Sequence, residues 1–83
     1  MSAADMQTDK LVRMANQIAT FFESQPGDGA ASISDHIHSF WNPVMRRRIY
    51  AYLDAGGQGL QPLAHEALTQ LRLADPAARQ SSD

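Results

Sequence analysis

The chain has 83 residues, no cysteine, and seven Lys and Arg against nine Asp and Glu, for a net charge of -2. A chain this short buries only about 60% of its unfolded surface, which leaves room for one small domain, taken as residues 1–83, and for no deep private cleft. Missing thiols exclude disulfides, thiolate metal sites and cysteine nucleophiles, and the slight acidity argues against a general nucleic-acid binder. At this size a fold held by packing alone often leans on a partner.

The opening "MSAADMQTDK" has no basic stretch followed by an apolar run, and no later segment approaches the roughly 18 apolar residues of a membrane span. A cytoplasmic protein without membrane association is expected. In residues 8–23, Leu11, Met14, Ala15, Ile18 and Phe22 recur at helical spacing, with Arg13, Asn16, Gln17 and Thr20 opposite. That pattern predicts an amphipathic helix capped by Thr8 and stopped by "SQPGDG". Ile33, Ile37 and Phe40 form the stripe of a second helix over 30–41, with Trp41 at its edge. Pro43 forbids simple continuation, while Asn42-Pro43 is a good helix start, so a sharp corner is expected there.

The third helix, 43–55, is expected to bury Met45, Ile49, Tyr52 and Leu53 and to stop at Gly56-Gly57. Leu60, Leu63, Ala64, Ala67, Leu68 and Leu71 mark a fourth, over 61–73, opened by Pro62. The class is all-α: a small bundle of four short helices with an ordered core of about 8–74. The polar "ADPAARQSSD" and the first few residues are expected to fray.

The stretch "HSFWNPVMRRRIYAYLDAGG" concentrates the candidate binding residues. Arg46 and Arg48 lie about 160° apart on the third helix and flank its apolar stripe, with Arg47 near the far face. The plain reading is three solvated arginines whose stems cover the core edge. Yet none has an acid at i±3 or i±4 within the helix, and all sit in its first half, where the helix dipole disfavours cations. Unpaired arginines suit a carboxylate or phosphate on a partner. Trp41 is balanced between core and interface; His38 and Tyr50 complete the candidate partner-binding set. Phe40 reads as a core anchor, so that Phe40→Ala would cost about 3–5 kcal/mol. Reversing Arg47 to Glu would leave the helices intact.

His36 and His38 diverge by about 200° on a helix, the wrong spacing for chelation, and His65 has no evident approach to them. No nucleophile elbow, phosphate loop or paired catalytic carboxylate is present, and "GGQG" at 56–59 follows a helix and reads as a turn. No catalytic residue, bound cofactor or metal is therefore expected in this chain.

"KLVRMANQIATFF" (10–22), "HIHSFWNPVMRRRI" (36–49) and "LDAGGQGLQPLAHEA" (53–67), in that order, resemble the small delta subunit of cytoplasmic NAD-dependent formate dehydrogenases. The resemblance implies a non-catalytic accessory subunit that docks on the catalytic chain and supports its assembly, cofactor loading or stability. It also implies that the larger partners carry the molybdenum or tungsten bis-guanine dinucleotide centre, the iron-sulfur clusters and the FMN. The alternative is a small module in which Arg46, Arg47 or Arg48 contacts the phosphates of a guanine nucleotide or of that dinucleotide cofactor during maturation, aided by the amides of the helix start at Asn42-Pro43.

Overall fold

A computed structural model of the chain describes residues 3–79, and the side chains of 7–79. Four helices follow one another: α1 Ala3–Glu23, α2 Gly29–Phe40, α3 Pro43–Asp54 and α4 Pro62–Ala74, closed by a short 3-10 turn at Pro76–Arg79. The all-α four-helix reading holds, with two differences at the ends. Helix α1 starts at Ala3, so Thr8 lies inside it and does not cap it; nothing in Ala3–Gln7 breaks a helix. The segment after Leu73, expected to fray, instead continues into the closing turn with Asp75 and Ala77 buried. The fraying expected at residues 1–2 and 80–83 lies outside the described residues.

The starts of α2 and α3 are capped by side chains, whereas α4 opens at Gln61 without such a bond. Asp28 Oδ1 accepts the Ala31 amide at 3.2 Å, and Asn42 Oδ1 accepts the Met45 amide at 2.9 Å, with Pro43 in the first helical turn. Each cap satisfies an amide that the helix leaves without a partner. At the end of α3 the amides of Gly56 and Gly57 bond to the carbonyls of Leu53 and Tyr52. Gly57 has φ +62°, and a Cβ there would stand 3.0 Å from the His65 ring, so conformation and space both demand glycine.

The core lies where α2 meets α4, the most extensive helix contact in the molecule. Ile33, Ile37 and Leu68 are fully buried in this core, and the fully buried Ala30, Ala64 and Ala67 carry only a methyl, which lets the two backbones approach closely. Helix α1 closes this pair with Leu11, Ala15 and Ala19, and α3 adds Ile49 and Tyr50. Burying an isoleucine or leucine contributes about 1.5–3 kcal/mol each, so these few large residues dominate the stability of so small a fold. The loop from α3 to α4 is fastened from α1: Asn16 Nδ2 donates to the Gly59 carbonyl and its Oδ1 accepts the Gln61 amide, both at 2.8 Å. Asn16, assigned by its spacing to the solvent face, thus pins the start of α4.

Candidate docking surface

The α2–α3 corner reverses the helical-wheel reading of Phe40 and decides that of Trp41, which the wheel left balanced between core and interface. Phe40, read as a core anchor, is 73% exposed, whereas Trp41 is only 4% exposed. The buried stripe of α2 runs through Ala30, Ile33 and Ile37, and Phe40 falls about 60° from its centre, towards His36. Trp41 has left the helix: its backbone is extended at φ -95° and ψ 136°, while its amide still bonds to Ile37. A wheel no longer governs its direction, and the indole turns into the core.

Helix α3 is rotated from the expected stripe. Its buried residues are Arg46, Ile49 and Tyr50, with Met45, Tyr52 and Leu53 half-buried. Arg46, expected to stand free, is 8% exposed and is bonded through both Nε and Nη1. Its Nε donates to Asp75 Oδ2 at 2.6 Å, and its Nη1 to the carbonyls of Trp41 at 2.6 Å and His38 at 3.4 Å. Tyr50 Oη donates to the same Asp75 oxygen at 2.7 Å, and the Ala77 amide donates to the other at 3.0 Å. Asp75 is 2% exposed. Burial alone would raise its pKa, but the hydrogen bonds from Arg46, Tyr50 and Ala77, with the Arg46 charge, outweigh it and hold the carboxyl at about 2. Burial and the carboxylate together push the Tyr50 phenol well above its ordinary range. The acid that compensates Arg46 thus comes from beyond α4, in the segment expected to be loose.

These bonds disperse the arginine triplet. Arg46 faces inward, and Arg47 lines a small depression of about 80 Å³ with Tyr50, Asp54, Arg72 and Ala78, where Arg72 pairs with Asp54. Arg48 lines a separate groove between α1 and α3, so among the described residues the three arginines face three different surroundings. Asn42 already caps α3. His38 is exposed on the last turn of α2.

Among its exposed residues the molecule carries several large apolar ones, Phe21, Phe40, Val44 and Leu73. Phe21, Phe22, His36 and Phe40 form a row across α1 and α2, with successive ring centroids 5.0, 6.1 and 4.6 Å apart. The row is open at both ends, since Phe21 is 59% exposed as well as Phe40. A depression of about 260 Å³ lies beside it, lined by Gln17, Ile18, Phe21, Phe22 and His36. One helical step along α1, Leu11 and Met14 join Val44, 55% exposed, and Met45 in the α1–α3 groove. The sequence held a signal for this face: Phe21 lies beside the α1 stripe and adds an aromatic residue the stripe does not need.

Among the described residues no three His, Asp or Glu side chains stand close enough to hold a metal ion, and no helix is long and apolar enough to cross a membrane. His36 is engaged by Phe22 and Phe40. Comparison with curated proteins and with solved structures gave no match. A family model described as NADH-dependent formate dehydrogenase delta subunit FdsD matches residues 10–68, from the first turns of α1 to the middle of α4. That span takes in the caps, the Trp41 corner and the exposed row, and it establishes that this chain belongs to the delta-subunit family of NADH-dependent formate dehydrogenase, as a non-catalytic accessory of that enzyme.

Proposed function

We propose that the chain acts by docking on the catalytic subunit of the formate dehydrogenase, through the face that carries the aromatic row, and that it thereby supports the assembly, cofactor loading or stability of that subunit. The observation that carries this reading is the outward placement of Phe21 and Phe40 in a chain with only three phenylalanines. Large exposed aromatic residues grouped in one row are costly to leave in water and are typical of interface anchors. The partner is the chain that holds the molybdenum or tungsten centre, and the iron-sulfur clusters and FMN lie in the larger subunits. The association is cytoplasmic. His38 and Arg48 supply polar contacts at the rim of the interface, Arg47 opens instead on the depression beside Asp54 and Arg72, and Trp41, Arg46 and Tyr50 act from inside by fixing the corner that presents Phe40.

The test is capture of the catalytic subunit by Phe40→Glu and Phe21→Glu variants, alongside thermal melting. We expect both to fold and to lose most of the capture. Folded variants captured like the parent would place the docking surface elsewhere.

A further inference from the structure

The α1–α3 groove combines an apolar floor with a rim of one charge. Its floor is Leu11, Met14, Val44 and Met45, its rim is Gln7, Lys10 and Arg48, and its volume is about 330 Å³. Among the described residues no acid lines it, although the whole chain carries a net charge of -2. The ion pairs among the described residues, Arg46 with Asp75 and Arg72 with Asp54, involve neither Lys10 nor Arg48. Lys10 and Arg48 also stand on different helices, one on each of the two walls. Two methionines in the floor let it adapt to the side chains it receives.

We infer that this groove seats an acidic amphipathic segment of the catalytic subunit, with apolar side chains on Leu11, Met14, Val44 and Met45 and carboxylates on Lys10 and Arg48. This rests on the docking reading above, and the groove is continuous with the proposed face: Leu11, Met14, Ile18 and Phe22 follow one another at three- or four-residue steps along α1. An amphipathic helix laid in a groove buries side chains at the same spacing. Charge complementarity selects the occupant: a basic or neutral segment would leave both rim cations without partners, and a second copy of this chain would bring the same cations against its own.

Lys10 is the chain's only lysine, so it can be read alone. The complex of the full chain with the catalytic subunit is treated with a carbodiimide, which joins a lysine amine to a carboxylate in direct contact, and the joined peptides are sequenced. We expect Lys10 linked to an Asp or Glu of the catalytic subunit that lies within one helical turn of apolar residues. Lys10→Arg should abolish the link and keep the capture. The double variant Lys10→Glu with Arg48→Glu should melt like the parent, bind about tenfold or more weakly at low salt, and show a smaller deficit at high salt. A complex in which Lys10 stays unlinked, or links to another copy of this chain, overturns the inference. So does a double variant that binds like the parent, and each of these outcomes leaves docking through the aromatic row standing. Failure of the parent chain to bind the catalytic subunit at all overturns the docking reading itself, and this inference with it.

Discussion

Both oxygens of Asp75 are engaged, one by Arg46 and Tyr50 and the other by the Ala77 amide. The sign of its pH effect follows from the direction of its shift. A carboxyl held at about 2, against 3.8 ordinarily, contributes stability above pH 4 that is lost as pH falls towards 2. The full effect is on the order of 2 kcal/mol. Denaturant unfolding between pH 6 and pH 2 should therefore show Asp75→Asn clearly less stable than the parent at pH 6, with the gap closing in acid; a constant gap would mean that the carboxylate charge contributes nothing. Removing one member of a buried pair leaves the other charge uncompensated, so Arg46→Met and Asp75→Ala should each cost about 3–5 kcal/mol. Replacing Arg46, Tyr50 and Asp75 together by Met, Phe and Leu should recover part of that loss, because no buried charge is then stranded, although the Trp41 carbonyl and the Ala77 amide still lose their partners. Melting temperatures of the two single variants and the triple variant check this directly.

Helix α3 is the element that these bonds govern. One side of it packs on α1 and α4, and the closing turn at Pro76–Arg79 lies against it as well. Its start presents Val44 and Met45 to the groove, and the corner before it fixes Phe40 outward. Ending the chain after Ala74 removes Asp75 and the closing turn while leaving all four helices in the sequence. If that segment were a loose tail, the melting temperature would be unchanged. Because its loss strands Arg46, we expect a fall of about 10 °C or more, and we expect capture of the catalytic subunit to weaken as the corner loosens.

At the scale of the whole molecule, a fold of four short helices must hold its shape with few large core residues. Isoleucines 33, 37 and 49 with Leu68 are fully buried, while phenylalanines 21 and 40 face outward. Covering that face by a partner would add to the burial that a chain of this length achieves alone. Two consequences can be measured. The larger subunits produced without this chain should be deficient in activity, cofactor content or stability; full activity with full metal loading would leave it no supporting role. The melting temperature of the chain should also rise when the catalytic subunit is present in excess, since a partner that binds only the folded state stabilises it by mass action.

The four helices were legible in the chain because helix periodicity and its punctuation are local. Spacing located α2, α3 and α4 to within a residue or two of either end, Asn42 and Pro43 opened α3, and the glycine pair closed it. Trp41 was not legible, because a single extended residue at the end of α2 redirects the indole and a wheel assumes that the helix goes on; Phe40 was not, because the side of the α2 stripe that is covered depends on where the other helices pack. Arg46, Ile49, Tyr50 and Leu53 do lie at offsets 0, 3, 4 and 7, yet an arginine on a buried stripe makes sense only once its acid is known. That acid stands 29 residues away, in Asp75. Periodicity within one helix decides which residues can share a face, and so the sequence by itself determined the helices and their number. Which face is buried, and which arginine is left for a partner, depends on contacts between distant segments, and only the tertiary structure decided it.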